Sequence, residues 1–365
     1  SPMRKQRSSK PHSLHVTLRD VAEQAGVSIK TVSRVVNNQD EISASTRRRV
    51  QSAIEELGYH PNILARSLVS RRSNALAVVA WGIDYYGPSR TVLGVEQQSH
   101  ELGYSLFLNL LPKTDDVNVI PVLDALSARR VDGIIWAVPE VGANREWIRS
   151  PRLKQLPPMV FLNMEPRPGV SVIAADNRSG AAQATQHLLD QGRRTIGVIT
   201  GPMTWWEARE RYEGWKQTLR QAGLTPSPSL VAEGDWSPSA GEQCMRRLLA
   251  QRPDIDAVFA SNDQMALGAL GVAHLSGLLV PQGLAIVGFD NTPESAYFWP
   301  PLTTVHQHLV DVGRTAVVTL HRLIEARRQG EDNLKPTTSL LTPELVIRAS
   351  SLLTLQPSPE IVTVQ

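Results

Sequence analysis

Indole rings and planar polar side chains recur just after short apolar runs. They are Trp81 to Tyr86 (with Tyr85), Asn163, Trp205 with Trp206 and Arg209, Trp236, Asn262 with Asp263, and Asp290 with Asn291. Carboxylates and amides bind hydroxyl groups, and aromatic faces stack on C–H surfaces, so this mixture suits a polyhydroxylated ligand. The chain has eight Trp and only five Phe, and indoles favour half-wet sites where the N–H finds a partner. Packing explains a single Trp as well, and is the better reading for Trp136, Trp147 and Trp215. Arg209 and Asp290 also make sense as a structural ion pair; their expected position at strand ends favours ligand contact.

A second group lies in one short stretch. Lys30 can donate to guanine O6 and N7, Ile29 can pack on a thymine methyl, and Arg34 is long enough for a bidentate guanine contact. Ser28, Thr31, Ser33 and Asn37 are short donors suited to phosphate. Catalytic signatures are missing: the sequence has no Gly-x-Ser-x-Gly, Gly-x-Gly-x-x-Gly or Gly-Lys-Ser/Thr loop. One cysteine, Cys244, excludes an internal disulfide or a thiolate cluster, and nine histidines show no ligand spacing. No cofactor, metal or enzymatic activity is expected.

The elements that must position these groups are legible. Thr17 and Asp20 mark a helix start, Leu18, Val21, Ala22 and Ala25 its apolar face, and Gly26 its end. Ser28 caps a second helix, with Val32, Val35 and Val36 inward. Ser43 caps a third, with Val50, Ala53, Ile54 and Leu57 inward and Gly58 as its stop. Two helices around a short glycine turn form a helix-turn-helix, whose second helix presents its N-terminal residues to bases in the major groove. The bland alternative is a helical hairpin with a wet polar face, but caps, turn and periodicity all agree. Next comes a segment from Tyr59 to Arg72. Asn62 after Pro61 can cap about two turns of helix, which are marginal alone. Leu68 among arginines suits an apolar wedge in a minor groove; the plain alternative is a linker.

From Ala75 the texture becomes α/β. Apolar runs at Ala75–Ala80, Leu106–Leu111, Gly133–Ala137, Met159–Leu162, Thr195–Thr200, Ala257–Ala260 and Leu284–Phe289 read as buried parallel strands. Helical stretches separate them, as in Thr91–Leu102, Ala181–Gln191, Arg209–Ala222, Ala240–Gln251 and Met265–Ser276. The alternation predicts a doubly wound parallel sheet. A restart near Val172–Asp176 predicts two lobes, with ligands at the strand C-terminal ends between them. The expected division is a basic, disordered arm over 1–15, a DNA-binding domain over 16–61, a hinge over 62–72, a core over 73–352 and a tail over 353–365. Lobe one takes about 73–172 and 306–336, lobe two about 173–305 and 337–352.

The net charge of +3 hides an asymmetry. Residues 1–72 hold thirteen Lys and Arg against six Asp and Glu, or +7; the rest hold twenty-five against twenty-nine, or −4. A basic head on a mildly acidic body suits a polyanion at one end. No stretch approaches a membrane span, and the basic first fourteen residues lack the apolar core of a secretory signal, so a cytoplasmic, nucleoid-associated protein is expected.

These residues carry a family resemblance. Val16–Asn38, then Gly58-Tyr59-His60-Pro61-Asn62, Gly201-Pro202, Glu233-Gly234-Asp235-Trp236, Ser261-Asn262-Asp263-Gln264-Met265-Ala266, Val287-Gly288-Phe289-Asp290 and Pro301-Leu302-Thr303-Thr304-Val305 resemble the lactose/galactose repressor (LacI/GalR) family. The likeness runs from about Val16 to Ser351. It implies a helix-turn-helix head on a two-lobed, periplasmic-binding-protein-like core. It further implies a homodimer that represses transcription from a pseudo-palindromic operator. By resemblance, Ile29, Lys30 and Arg34 are operator-reading residues, and Ala65 and Leu68 are the hinge's small residue and its minor-groove leucine. Arg209, Asn262 and Asp290 are effector-binding residues; Asn163, Trp236 and Gln307 are pocket positions. The stretch Asp84-Tyr85-Tyr86-Gly87 departs from better-known members, so the effector need not be theirs. A sugar that releases the protein from DNA is the expected effector. Trp205 and Trp206 would also stack on a purine, which leaves a purine-like corepressor as the alternative. A short tail without a leucine heptad favours a dimer over a tetramer.

Overall fold

A computed structural model describes residues 16–37, 42–59, 73–112, 118–141, 147–148, 151–331 and 334–353. The chain divides into two compact units, Ser1–Ser73 and Asn74–Gln365.

In the first unit, α1 (Leu18–Ala25), α2 (Ile29–Val36) and α3 (Ala44–Leu57) form the expected three-helix head. Thr17 and Asp20 make a reciprocal capping box on α1, and Gly26 ends it in the left-handed conformation (φ 63°). Ser28 and Ser43 cap α2 and α3 by accepting from the backbone N–H groups of Thr31 and Thr46. Val21, Ala22, Ala25, Val32, Val35, Val50 and Ala53 pack into one core. Tyr59 joins that core, so it belongs to the head and not to the following linker.

Among the described residues, the second unit holds two six-stranded sheets. The first runs β11 (Thr338–Leu341), β5 (Ser171–Ala175), β4 (Met159–Leu162), β3 (Gly133–Ala137), β1 (Ala75–Ala80), β2 (Ser105–Leu110), with every pair parallel. The second runs β12 (Glu344–Val346), β10 (Thr303–His306), β9 (Ala285–Phe289), β8 (Ala257–Ala260), β6 (Ile196–Thr200), β7 (Val231–Glu233). Of these strands only β12 is antiparallel, against β10. Helices α4 (Tyr86–Glu101), α5 (Ile120–Ala128) and α10 (Leu309–Arg328) belong to the first sheet. Helices α6 (Asn177–Asp190), α7 (Trp206–Gln221), α8 (Pro238–Gln251) and α9 (Asp263–Leu275) belong to the second. Wholly buried runs such as Ala75–Ala80 are what a sheet covered on both faces requires.

Three expectations need correction. Val172–Asp176 does not open the second lobe: β5 pairs with β4 and β11 in the first sheet, and the chain crosses at Asp176, which caps α6. Residues 337–352 do not all lie in lobe two, because β11 returns to the first sheet and only β12 and the residues after it join the second. The residues of β11, Thr-Ser-Leu-Leu, alternate between exposed and half-buried, so no apolar run betrays that return. Finally, β2 is parallel as expected but not buried. It is an edge strand paired only with β1, and Phe107, Leu108 and Leu110 are 39%, 46% and 49% exposed.

Candidate effector cleft and DNA-reading surface

A cavity of about 530 Å³ lies between the two sheets' C-terminal ends, within the usual range for a small-molecule site. Tyr85, Asn163, Trp205, Trp236, Asn262, Asp290 and Gln307 line it. They come from the segments after β1, β4, β6, β7, β8, β9 and β10, where the strand-end rule puts them. Three of these side chains sit on left-handed backbone: Asn163 (φ 49°), Trp236 (φ 76°) and Asp290 (φ 116°). For an indole or a carboxylate that conformation is strained, and such strain concentrates at ligand sites.

Arg209 does not line the cavity. Its guanidinium donates to the backbone carbonyls of Met203 (3.2 Å) and Thr204 (2.8 Å). It therefore fixes the loop that presents Trp205, helped by Glu233, which accepts from the Met203 N–H at 2.9 Å. The arginine in the cavity is Arg211. Two residues along a helix turn a side chain by about 200°, so these arginines point to opposite sides of α7. Sequence reasoning missed Arg211, yet a signal existed: it falls on the stripe of Ala208, Gly214, Trp215 and Thr218, all of which are buried.

Arg211 is the hub of the cleft. Its Nε donates to Asn177 Oδ1 (2.8 Å), its Nη1 to the Ser261 carbonyl (2.5 Å) and its Nη2 to Gln307 Oε1 (3.2 Å). Asp290 stands 4.0 Å from it and accepts from Gln307 Nε2 at 2.5 Å. The guanidinium also lies 4.0 Å from the Phe289 ring centroid, a cation–π contact. So the ion pair Asp290 joins is with Arg211 and not with Arg209. Burial pushes the Asp290 carboxyl up to about 7, opposed by Arg211, raised further by Asp263, and opposed again by Gln307. Asp263 is structural. It accepts from the Thr304 hydroxyl and the Thr292 N–H, and burial holds it at about 6. Asn262 is both cap and strut: its Oδ1 accepts from Met265 N (2.8 Å) and its Nδ2 donates to the Trp236 carbonyl (2.9 Å).

Aromatic rings join the lobes across the cleft. Trp81, after β1 of the first sheet, lies 5.7 Å from Tyr85 and 5.4 Å from Trp205, and Trp205 lies 5.8 Å from Trp236. Trp206 is buried and does not line the cavity. A second residue that sequence reasoning passed over, Glu207, does line it. Burial holds its carboxyl at about 7.

On the head, Ser28, Ile29, Lys30 and Asn37 are exposed, while Thr31, Ser33 and Arg34 are half-buried. Ser28 is occupied as the cap of α2, with its oxygen 2.9 Å from the Thr31 hydroxyl. Ile29 and Lys30 occupy the first turn of α2, the turn that enters a major groove in a helix-turn-helix. Asn62, Ala65 and Leu68 lie outside the described residues, as do Arg66, Arg71 and Arg72.

Known proteins carry the same two parts in the same order. Residues 17–62 match the lacI family of bacterial regulatory proteins, and residues 185–351 match the periplasmic binding protein-like domain. The transcriptional repressor PurR of Haemophilus influenzae (strain PittEE) is 36% identical over 334 residues, covering 92% of this chain and 98% of that protein. The chain belongs to the lacI family. PurR of Pasteurella multocida is 34% identical over the same 92% of this chain and 98% of its own length. Among solved structures, the lac repressor dimer bound to operator and the anti-inducer ONPF superposes with a TM-score of 0.83 at 32% identity, over 93% of this chain and 99% of that one. The regulator CelR in complex with cellobiose gives 0.68 at 32% identity, over 92% and 100%. This lacI-family member is a DNA-binding transcriptional regulator with a two-lobed α/β core. Among its described residues no helix is long and apolar enough to cross a membrane, and no group of three or more His, Cys, Asp or Glu could hold a metal.

Proposed function

We propose that the protein is a homodimeric repressor that reads a pseudo-palindromic operator and is released from it by a small carbohydrate bound in the cleft. The observation that carries this reading is the cavity itself, in which indole and phenol rings face amides, a carboxylate and a buried arginine at the strand ends of both lobes. Aromatic faces for C–H surfaces beside paired donors and acceptors are what a sugar ring needs. The cellobiose complex of CelR supports the ligand class, and the operator complex of the lac repressor supports the partner.

Ser28, Ile29, Lys30, Thr31, Ser33, Arg34 and Asn37 form the reading surface in this proposal, and Asn62, Ala65 and Leu68 the hinge. The effector contacts are Tyr85, Asn163, Trp205, Trp236, Asn262, Asp290 and Gln307, with Arg211 in the place expected of Arg209. Because residues from both sheets line the cavity, a ligand there has unequal affinity for different lobe orientations. That difference is the whole of its leverage on DNA, typically about 1–3 kcal/mol. The apolar edge of β2, with Phe107, Leu108 and Leu110, supplies a face for a second copy. The protein acts without catalysis, in the cytoplasm with the nucleoid.

Calorimetry of the purified protein against mono- and disaccharides, polyols and purine bases tests the reading. It is paired with selection of bound duplexes from random DNA. A sugar that binds and weakens binding to the selected duplex is the expected result. A purine that binds and tightens it would replace the carbohydrate reading with a corepressor.

A further inference from the structure

The cleft is unevenly charged. Among the described residues one cation lines it, Arg211, against four carboxylates: Glu207 and Asp290 within, and the exposed Asp84 and Glu294. Arg211 is also committed already. Its Nε, Nη1 and Nη2 donate to Asn177, the Ser261 carbonyl and Gln307. An anionic ligand would meet more negative charge than positive there, with little of the arginine left to bind it.

Burial opposes the ionised carboxyl of Glu207, and a hydrogen bond from its own backbone N–H favours it. It is the second residue of α7, and its Oε2 is shut away from solvent with no hydrogen-bond partner. Charged groups reach it from both lobes. Arg211 and Arg209 on its own helix favour the ionised form, and Glu140, after β3, opposes it. Glu140 is itself paired with Arg167 at 2.6 Å. Trp236, which also lines the cavity, has its Nε1–H shut away from solvent without an acceptor. An unpaired buried acceptor or donor costs free energy, and Glu207, half-buried in the cavity wall, gains a partner if its carboxyl turns to a ligand there. A hydroxyl group both donates and accepts.

We propose that Glu207 is a specificity-determining residue that accepts a hydrogen bond from a hydroxyl of an uncharged effector and excludes acidic and phosphorylated counterparts of that effector. The sugar form of this inference rests on the carbohydrate reading; the charge rule does not. An N–H or O–H donor holds Glu207 ionised, so binding expels a proton where the free carboxyl carries one, and affinity rises with pH through neutrality. An anion is tolerated beside Glu207 only while that carboxyl keeps its proton, and is repelled once it ionises, so selectivity against anions also rises with pH through neutrality.

The test is calorimetry on the full-length protein with charge-matched probes: glucose and cellobiose against glucuronic acid, cellobionic acid and glucose phosphate, and hypoxanthine against inosine monophosphate. The expected result is binding of one uncharged probe, tighter at pH 8 than at pH 6, with its anionic partners at least about a hundredfold weaker. In Glu207→Gln the uncharged probe should weaken about tenfold, as loss of a charge-assisted hydrogen bond implies. The gap to the anions should narrow, and the pH dependence should flatten. Melting followed by circular dichroism checks that the variant folds, and the wild-type series stands without it. An anion that binds the wild type as tightly as its uncharged partner overturns the inference. So does a Glu207→Gln protein with unchanged affinity and selectivity. If only the base binds and its nucleotide does not, the carbohydrate reading fails while the charge rule holds. If no probe binds, both fail.

Discussion

Arg211 and Arg209 sit two residues apart and do different work. Arg211 is buried, bonded to Asn177, the Ser261 carbonyl and Gln307, and 4.0 Å from Asp290. Replacing it with Ala lets Asp290 take up a proton and leaves the buried acceptors on Asn177, Ser261 and Gln307 without their donor, about 1–3 kcal/mol for each left unpaired, and should abolish the effector response. Arg209→Ala loses the bonds to the Met203 and Thr204 carbonyls and a cation that favours ionised Glu207. It should loosen the Trp205 loop, weakening the effector several-fold while leaving the response intact. Operator release assayed against effector concentration separates the two: loss of response in the first, a rightward shift in the second. Glu207 and Asp290 make a further prediction. Both are acids whose folded pKa, about 7, exceeds the unfolded values of 4.5 and 3.8. Between those limits the folded protein binds more protons than the unfolded chain, so their contribution to stability falls as pH rises from about 4 to about 7 and levels off above. The melting temperature of the core should reflect that fall, and Glu207→Gln should shrink it. A variant whose melting temperature falls as steeply as the wild type's would mean that Glu207 stays ionised throughout.

Elements with strong local signals were legible, and elements defined by their neighbours were not. The head was readable to the residue, because a hydroxyl cap, a left-handed glycine and a 3.6-residue stripe each act within one turn of chain. Thr17→Ala tests that locality. It removes the capping box and should cost the head about 1 kcal/mol, seen as an earlier head transition in hydrogen exchange with the core unchanged. Strands were readable where both faces are covered, as in β1, β6 and β9. The side of the molecule that β5 joins was not, because an apolar run carries no record of which sheet will flank it. The edge strand β11 left even less. In the site, the strand-end positions of Asn163, Asn262 and Asp290 follow from the α/β pattern alone, whereas Trp236 follows the three-residue β7, too short to show as an apolar run. The choice between Arg209 and Arg211 turned on helical phase, which the family motif blurred and the buried stripe of α7 resolves. Gly201 shows how tightly an element can fix a site. A Cβ there would fall 2.1 Å from the Trp236 indole, so the ring packs directly on the glycine backbone. Gly201→Ala must displace that ring. It should weaken effector binding by about tenfold or more and quench the change in indole fluorescence on binding, while operator affinity without effector stays close to wild type.

At the scale of the whole molecule the exposed edge of β2 is the telling feature. An edge strand presents unpaired backbone groups, and natural sheets protect such edges with charge, bulges or cover. Here the edge carries Phe107, Leu108 and Leu110, all more than a third exposed, so cover is the device that remains. A second copy of the chain fits the proposed operator, since two-fold symmetry in the protein matches two-fold symmetry in DNA half-sites about one helical turn apart. Two linked heads gain from proximity: once one is bound, the second binds as if at millimolar concentration, which raises overall affinity by about 10²–10⁴. Leu108→Lys places a charge in the middle of that face. It should turn a dimer into a monomer in sedimentation velocity and cost at least about a hundredfold in operator affinity. Calorimetry should still find the effector bound, because the cavity is lined by residues of one chain. A Leu108→Lys protein that remains dimeric would assign the interface to another face. One that turned monomeric yet held its operator undiminished would mean that a single head suffices, and the link from cleft to DNA could then not run through the pairing of two chains.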